Sequence, residues 1–499
     1  MMNSNSVLLV HPPYSTYQKY LHSDFQEPLG VLFLAGYLRQ KGINVDVIDF
    51  FNDNVFQCGE YYWQGLSEQQ IEDEFRKRQP SVIGISSMFS IHCHAVHRVA
   101  AAAKKAVPSA LVVVGGTHAS SFPKVLASDK NIDIVVVGEG EQTLLEIIER
   151  HSYGEALEGI AGTAYFNKDG IYCQNPPRDF LDFSTHPGPA RDILDIDRYI
   201  SSEYSKKHGF KPRRLPIVTS RGCPYKCIFC SIHSVWRHSY HRRNPEVVLD
   251  EIEWLVTEHG VEEIMFWDDN IAANSKHFNA ILDGIIGRRL PIRWCTPNGI
   301  AIWLLDEELI DKCRRAGCYK LTFGIETGSE KTQQFIRKNQ INFERAKQLI
   351  LYCNSIGLWT MSPFIIGFPF ERREDIMATI DYAIDCGVDV ASFFIAVPYP
   401  GCEMYDIYKE NGLLPEAVER TEPDKWIGNV MKSKINTCYL SSEDILDLHA
   451  LAERKFRSHR RKKFLNPAYL ASKIRSWDDV KFMARMLPQG IRQYLLLKQ

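Results

Sequence analysis

Short runs of consecutive apolar residues recur through the first 150 positions, and stretches with helical spacing separate them. Five of the runs have the length and the Val and Ile content of buried strands: 6–10, 45–50, 81–87, 110–116 and 132–138. Helical spacing is clearest over 29–40, 93–106 and 141–150. Strands that alternate with helices are typical of a parallel sheet with right-handed crossovers. The pattern therefore predicts an α/β domain over 1–150, built on a doubly wound parallel five-stranded sheet.

A second strand–helix alternation occupies 205–404. Its six strand candidates cover 215–220, 263–269, 292–298, 320–326, 360–367 and 390–397. The helices predicted between them include 245–258, 306–316 and 343–355. Six such units are fewer than the eight of a complete barrel, so the pattern predicts a partial (β/α)6 barrel. By analogy with complete barrels, its chemistry is expected at the carboxyl ends of the strands.

The segments that flank the second alternation are less regular. Residues 151–204 contain a predicted hairpin that turns at 168–170 and then a Pro-rich connector, and we interpret them as a linker. Residues 405–499 are predicted to be mainly helical. They include a cationic run: Arg454, Lys455, Arg457, Arg460, Arg461, Lys462 and Lys463. Such a run is usually a solvated or docking face, and peripheral contact with an anionic membrane or a cover over the barrel mouth is the alternative.

Composition and charge restrict the class of protein. The chain of 499 residues is 45% hydrophobic and 24% charged, which argues against disorder. Its 59 basic and 61 acidic residues nearly balance, so no nucleic-acid partner is predicted. No apolar run reaches the roughly 18 residues of a membrane span, and a secretory signal is not recognisable. Thirteen cysteines without such a signal favour reduced thiols. We therefore expect a cytoplasmic protein.

The most specific motif is RGCPYKCIFC at 221–230, directly after the first predicted strand of the barrel. Its cysteines follow Cys-x3-Cys-x2-Cys spacing: Cys223, Cys227 and Cys230. Three thiolates on one loop can bind three irons of a 4Fe-4S cluster and leave the fourth iron without a protein ligand. A structural zinc site needs four ligands. Because the sequence has no second Cys-x2-Cys pair, zinc would need His233 or His238, and a cluster is the favoured interpretation.

This cysteine motif after the first strand of a six-unit barrel resembles that of the radical S-adenosylmethionine superfamily. The whole chain resembles its cobalamin-binding branch, because a parallel sheet precedes the barrel and five further motifs occur in order along the chain. They are GGTHAS, VVGEGE, FWDDN, GIETGS and PYPGCEMY. The branch includes methyltransferases that act on unactivated carbons and the anaerobic porphyrin ring cyclase. The resemblance covers about residues 5 to 410, so it implies a Rossmann-like cobalamin-binding domain followed by a radical S-adenosylmethionine barrel.

The resemblance also implies how S-adenosylmethionine is held and cleaved. The open iron would chelate its amino and carboxylate groups, and an electron from an external flavodoxin- or ferredoxin-type reductant would release a 5′-deoxyadenosyl radical. Phe229 matches the aromatic that packs on the adenine, and a core aromatic is the alternative. Asp268 and Asp269 stand where the family binds the amino group, and the sequence does not distinguish them. Glu326 would accept hydrogen bonds from the ribose or the amino group, unless it is a structural carboxylate.

A cobalamin site is implied at the carboxyl ends of the first sheet. The residues that match its rim are Ser86, Ser87, Gly115, Gly116, Thr117, His118, Gly138, Glu139, Gly140 and Glu141. Glycine would let the backbone approach the nucleotide tail, and His118 as an internally bonded loop histidine is the alternative. Related modules ligate cobalt through the histidine of Asp-x-His-x-x-Gly, which is absent after the first strand. The nearest candidates there are His11 and Tyr14, so we expect cobalamin without a histidine ligand.

Three functions follow from these expectations. The favoured one is transfer of a methyl group from methylcobalamin to a carbon radical of a small-molecule or lipid-like substrate. One S-adenosylmethionine would generate the radical and a second would remethylate cobalt. The alternative is a radical cyclase, oxidase or rearrangement enzyme on the same scaffold, and the third is a non-catalytic iron–sulfur or corrinoid-binding regulator. The substrate cannot be named from the sequence, because it would dock on loops without a recognisable motif.

Overall fold

Two sheets of parallel strands, one in each half of the chain, organise the protein. The computed structural model describes residues 6–16, 27–59, 61–200, 209–399, 401–414 and 435–485. The strands are β1 (Val7–His11), β2 (Tyr14–Thr16), β3 (Val45–Asp49), β4 (Val55–Cys58), β5 (Tyr61–Gln64), β6 (Val82–Ser86), β7 (Leu111–Gly115), β8 (Ile134–Val136), β9 (Thr163–Phe166), β10 (Tyr172–Gln174), β11 (Arg214–Ile217), β12 (Ser220–Arg221), β13 (His241–Arg242), β14 (Glu263–Phe266), β15 (Arg293–Cys295), β16 (Cys318–Thr322), β17 (Trp359–Ile366) and β18 (Val390–Ile395).

The helices fill the connections between these strands. They are Leu29–Gln40, Glu68–Arg78, Cys93–Ala106, Thr117–Ser121, Pro123–Ala127, Glu141–Tyr153, Ile196–Ile200, His233–Trp236, Pro245–His259, Ser275–Gly287, Glu307–Arg315, Glu330–Phe335, Phe343–Ser355, Arg373–Asp385, Glu403–Glu410, Ser442–Phe464 and Pro467–Lys473. Many begin at a side-chain cap that satisfies the first free backbone N–H groups, as Asp306 does for Leu309. Helices Leu29–Gln40 and Phe343–Ser355 have the predicted bounds.

The first sheet has the strand order β10-β9-β8-β7-β6-β1-β3. Five of these strands are parallel, which confirms the doubly wound sheet. The strand order reverses at β1, so the carboxyl ends of β1 and β6 diverge and leave a crevice there. The hairpin that turns at 168–170 does form, but it adds β9 and β10 to the edge of this sheet instead of standing apart as a linker.

A small antiparallel sheet in the first domain has no counterpart in the sequence analysis. It consists of β2, β5 and β4, and the helix Glu68–Arg78 follows it. Its residues give no buried apolar run, because β4 is an exposed edge strand in which Val55 and Phe56 face outward. Strand patterns are weakest where one face of a short strand remains in solvent.

The second sheet is the predicted six-stranded partial barrel, with all strands parallel in the order β11-β14-β15-β16-β17-β18. Helices pack on its outer face through fully buried side chains such as Ile252, Phe278 and Ile350. Several strands end earlier than predicted. Residues 267–269 leave the ladder, and 323–326 keep only isolated bridges at Phe323 and Glu326. Both segments form loops at the carboxyl ends, which is where a barrel carries its chemistry.

The basic helix Ser442–Phe464 runs along the outside of the barrel. Ile445, Leu448, Ala452 and Phe456 are buried on its inner face. At its basic end, the Nζ of Lys463 lies 2.9 Å from Asp389, which precedes β18. The helix therefore packs on the barrel, and its basic end lies at the end of the barrel opposite the mouth. Within the part of the chain that the structure describes, no helix is long and apolar enough to cross a bilayer.

Candidate active site

The cysteine loop leaves the barrel through a turn that requires glycine. After β11 the chain forms the short strand β12, which pairs with β13, and then enters the loop at Gly222 with φ +82°. A Cβ on Gly222 would stand 2.3 Å from the carbonyl oxygen of Ser239, so any side chain would clash with backbone. Since the next residue is Cys223, this turn sets where the first thiol lies.

The three thiols of this loop differ from the other cysteines of the chain. All three are partly exposed, whereas seven of the other ten are buried. Burial and the neighbouring thiols raise the pKa of Cys227 to about 11 and that of Cys230 to about 12. Among the described residues, no three His, Cys, Asp or Glu side chains converge as ligands of a single metal ion. In an iron–sulfur cluster each thiolate binds a different iron. Three partly exposed thiols on one loop therefore fit a cluster even though they do not converge on one point.

The structure separates the roles of Asp268 and Asp269. Asp268 is buried and accepts hydrogen bonds from the Thr219 hydroxyl, at 2.6 Å, and from the Ser220 hydroxyl. It therefore ties the end of β14 to the segment that follows β11, which is a structural role. Asp269 is partly exposed and accepts the Gly222 N–H at 2.7 Å, directly before Cys223. Burial raises the pKa of Asp269 to about 7. Of the two, Asp269 is the carboxylate on the side of the thiols.

Glu326 forms a buried ion pair beside the cysteine loop. The Nζ of Lys338 donates to Glu326 Oε1 at 2.8 Å and to the Gly324 carbonyl at 2.7 Å. Glu326 has φ +70°, and its backbone carbonyl accepts the Ile365 N–H from β17 at 2.8 Å. Burial opposes the charge on Lys338, but Glu326 and the nearby thiols outweigh it and raise its pKa. The site thus contains a cation that sequence reasoning missed, because no motif marks Lys338.

Phe229 lies beside the ion pair of Lys338 and Glu326. Its ring stands 5.7 Å from the Nζ of Lys338 and 6.0 Å from the Phe368 ring. Phe229 is only partly buried, so one part of the ring packs in the protein and the rest remains available to a ligand. The structure therefore brings together Phe229, Asp269, Glu326 and the three thiols at the carboxyl end of the barrel.

The predicted cobalamin rim is a set of strand ends held by backbone contacts. Gly116 has φ +120°, and a Cβ there would stand 2.6 Å from the Ser87 carbonyl oxygen. That carbonyl accepts the His118 N–H at 3.0 Å, and the Ser87 N–H donates to Gly115 at 2.6 Å. Thr117 opens the short helix that follows. The chain therefore needs glycine at Gly116 to bring the ends of β6 and β7 together.

His118 is buried inside this rim, with one ring nitrogen bonded and the other not. Its Nδ1 lies 2.8 Å from the Ser90 hydroxyl, while its Nε2 is buried without a partner in the described residues. Burial lowers the pKa of His118 to about 3, so the ring is neutral at physiological pH. Met88 and Phe89, in contrast, leave 54% and 48% of their surface exposed at the end of β6.

A small cavity of about 20 Å³ lies at the crevice between β1 and β6. His11, Tyr14, Ser86, Met88, Phe89 and His92 line it. His11 is oriented by a carboxylate, because its Nδ1 lies 2.7 Å from Asp49 Oδ1. Tyr14 stacks on His92 with ring centroids 4.0 Å apart. The two lower-face candidates therefore lie together in the crevice at the strand-order reversal.

The GEGE part of the rim faces the barrel. Glu139 and Glu141 both pair with Arg221, at 2.9 and 2.7 Å. Gly138 donates its N–H to the Ser120 hydroxyl at 2.9 Å, and Gly140 directly precedes the helix that begins at Glu141. This arrangement places the two glutamates at the joint between the domains, and Arg221 is a site residue to which the sequence analysis gave no role.

The two predicted sites adjoin each other. The Ser121 hydroxyl, at the end of the rim helix, lies 3.1 Å from the Ser234 hydroxyl in the helix after the cysteine loop. A Cβ on Gly138 would lie 4.0 Å from the Val235 carbonyl oxygen. His233, in the helix after the cysteine loop, contacts His238 with ring centroids 3.8 Å apart and ring planes inclined at 38°. The rim therefore lies next to the helix that follows the cysteine loop.

Comparison with known proteins identifies both halves of this arrangement. Residues 24–148 match the B12 binding domain and residues 217–383 match the radical SAM superfamily. The chain is 31% identical over 411 residues to the cytidylyl-2-hydroxyethylphosphonate methyltransferase of Streptomyces wedmorensis, covering 76% of this chain and 77% of that protein. The chain belongs to the cobalamin-dependent radical S-adenosylmethionine methyltransferase family. Its cofactors are a 4Fe-4S cluster, S-adenosylmethionine and cobalamin.

The family also includes ring cyclases on the same scaffold. The chain is 28% identical over 469 residues to the anaerobic magnesium-protoporphyrin IX monomethyl ester cyclase of Rubrivivax gelatinosus, covering 93% of this chain and 78% of the cyclase. The fold is that of the methyltransferase TsrM from Kitasatospora setae, with a TM-score of 0.69 at 20% identity over 94% of this chain and 90% of TsrM. The cobalamin-dependent S-adenosylmethionine radical enzyme OxsB has a similar fold, with a TM-score of 0.67 at 17% identity over 100% of this chain and 72% of OxsB.

Proposed function

We propose that the enzyme methylates an unactivated carbon of a small-molecule or lipid-like substrate, with Cys223, Cys227 and Cys230 as the cluster ligands. When bound, the cluster and S-adenosylmethionine supply a substrate radical and cobalamin supplies the methyl group. The observation that carries the proposal is the 3.1 Å contact between Ser121 and Ser234. This contact joins the short helix of the rim to the helix after the cysteine loop, so a methyl donor on one and a radical source on the other would be close together.

The side chains around the thiols have distinct roles in this proposal. Asp269 fixes the Gly222 N–H and faces the amino group of S-adenosylmethionine, because a carboxylate suits an ammonium. Lys338 holds Glu326 at 2.8 Å and brings positive charge toward the anionic thiolates. Phe229 offers its free ring surface to the adenine. Charge-assisted hydrogen bonds of this kind are short and directional, so they orient a bound molecule.

The rim residues hold cobalamin through backbone and apolar surface. Gly116 lets the ends of β6 and β7 approach each other, so that their backbone can support the nucleotide tail, and Met88 and Phe89 contribute exposed apolar area. Burial of apolar area contributes about 25 cal/mol per Å² to binding before other costs are counted. Ser86, Ser87, Thr117 and His118 complete the rim.

The interior of the barrel suits a substrate with an apolar part. Alternate residues of β17 and β18 are buried against the helices, and the residues between them face the opposite side and stay partly exposed. The inward-facing set is mostly apolar and includes Met361, Pro363 and Phe394. An apolar lining favours an apolar substrate portion because its burial releases ordered water.

Product analysis under anaerobic conditions tests the proposal. The reconstituted enzyme is given S-adenosylmethionine, a reduced flavodoxin or ferredoxin, and an extract of cells that lack it. Methylation predicts S-adenosylhomocysteine and 5′-deoxyadenosine together, both dependent on the extract. Formation of 5′-deoxyadenosine alone would contradict methylation and favour cyclisation, oxidation or rearrangement. Absence of both products would indicate a non-catalytic regulator.

A further inference from the structure

The Arg221 side chain crosses the joint between the two domains. Its guanidinium donates to Glu139 at 2.9 Å and lies 2.7 Å from Glu141, and both carboxylates belong to the first domain. The guanidinium carbon also stands over three aromatic rings: Phe183 at 4.1 Å, Phe33 at 4.9 Å and Trp236 at 5.5 Å. Phe33 is in the first domain and Trp236 is in the helix after the cysteine loop, so one side chain contacts elements of both.

This joint is dry. The exposed fractions of the three side chains are 11% for Arg221, 7% for Glu139 and 3% for Glu141. Glu139 is fixed from a second direction, because it accepts the Leu181 N–H at 2.7 Å. Buried ion pairs gain little net stability after desolvation, but their geometry is strict because a displaced partner leaves an unpaired buried charge. Such a network is suited to fixing the distance between the segment before the cysteine loop and the first domain.

The joint is also adjacent to both cofactor sites in the chain. Arg221 is two residues before Cys223 and precedes the required glycine turn at Gly222. Glu139 and Glu141 follow β8 on either side of Gly140, within the segment that the family resemblance assigns to cobalamin. A shift of the Arg221 guanidinium would therefore move the cysteine loop relative to the rim.

We propose that Arg221, Glu139 and Glu141 form a positioning joint that sets the distance between the cluster and cobalt. The two glutamates act through Arg221 and do not bind cobalamin. The proposal rests on the proposed function only in requiring that both cofactors are bound, and it does not depend on the reaction or the substrate.

The test compares three variants in the full-length protein. Arg221→Met removes the charge and keeps much of the apolar stem, while Glu139→Gln and Glu141→Gln remove one carboxylate each. Arg237→Met is the matched control, because Arg237 lies over the Phe180 ring at 4.3 Å in the same neighbourhood but has no ion pair in the described residues. Cluster and cobalamin contents are measured by metal analysis and absorbance.

The decisive readout is the magnetic interaction between Co(II) cobalamin and the reduced cluster, followed as relaxation enhancement by electron paramagnetic resonance. The wild type and Arg237→Met are expected to show the same enhancement. Arg221→Met and both Glu→Gln variants are expected to keep both cofactors and lose most of it. Arg221→Lys keeps the charge but cannot pair with both glutamates in the same geometry, so it should recover part of the relaxation enhancement. It replaces Arg221→Met in the test if that variant does not fold.

Two results would overturn the joint while leaving the proposed function intact. One is unchanged relaxation enhancement in all variants at full cofactor content. The other is loss of cobalamin from Glu139→Gln and Glu141→Gln with full cobalamin in Arg221→Met, which would make the glutamates direct ligands. A wild type that binds only one cofactor would refute the proposed function and the joint with it.

Discussion

The cysteine loop and the cobalamin rim are built in different ways. The loop takes three thiols from eight consecutive residues, and the glycine turn at Gly222 places them. The rim collects residues at and just after the ends of β6, β7 and β8, spread over positions 86–141. Its hydrogen bonds are mainly backbone to backbone, as between Ser87 and Gly115.

This difference determines how each region responds to substitution. In the loop, function depends on side-chain identity, because only a thiolate binds iron in this way. In the rim, function depends on backbone conformation and on the absence of Cβ atoms. Conservative changes should therefore be damaging in the loop through chemistry and in the rim through shape.

The largest effect is expected from the loop. Replacement of Cys223, Cys227 and Cys230 by Ala should abolish iron binding and the charge-transfer absorbance of the cluster, while the fold and cobalamin content persist. Iron analysis and absorbance spectra of anaerobically reconstituted protein provide the measurement. Stoichiometric iron in the triple variant would show that this loop does not bind the cluster.

The next effect tests whether the rim depends on shape. Gly116→Ala places a Cβ 2.6 Å from the Ser87 carbonyl at φ +120°, which should cost about 1–3 kcal/mol of folding free energy. We expect loss of most bound cobalt with the cluster retained.

Gly30→Ala is the control for that prediction, because a Cβ at Gly30 meets nothing within 4 Å and the residue is helical. It should stabilise the protein by about 0.5–1 kcal/mol and leave cobalt content unchanged. Cobalt loss in both variants, or in neither, would contradict a shape-dependent rim.

A spectroscopic effect is expected at the lower face of cobalt. Since the chain lacks Asp-x-His-x-x-Gly, we expect Co(II) cobalamin without a histidine nitrogen on cobalt. His11 is the residue to vary first, because Asp49 orients its ring at 2.7 Å toward the crevice between β1 and β6. Nitrogen superhyperfine splitting that vanishes in His11→Ala or His118→Ala would contradict this expectation.

The smallest effect is a pH dependence of rim stability. Burial lowers the pKa of His118 from 6.5 to about 3, so between these values the unfolded chain binds the proton and the folded chain does not. The stabilising contribution is present above about pH 6.5 and is lost as pH falls, with a maximum slope of about 1.4 kcal/mol per pH unit.

Urea unfolding between pH 5 and 8 measures this dependence. His118→Asn should show a shallower loss of stability than the wild type below pH 6.5, because it lacks this titration. Parallel curves for the two proteins would mean that His118 titrates normally in the folded state.

Most of the fold could be predicted because most parallel strands are short segments rich in apolar residues, such as β1, β6 and β7. The small sheet of β2, β4 and β5 could not, since its edge strand is exposed and lacks that pattern. The cysteine motif was recognisable because its three cysteines lie within eight consecutive residues. Lys338 and Arg221 were missed as site residues because their roles depend on partners at Glu326, Glu139 and Glu141, which only the folded chain brings near.

The central claim is that one site delivers a methyl group from S-adenosylmethionine, through cobalamin, to a carbon radical. The most direct measurement supplies S-adenosylmethionine with a trideuterated methyl group to the holoenzyme and an extract of cells that lack it, and follows products by mass spectrometry. We expect a new product that gains the intact trideuterated methyl group, formed by the wild type and not by the triple Cys→Ala variant. A product without the label, formed in step with 5′-deoxyadenosine, would contradict it.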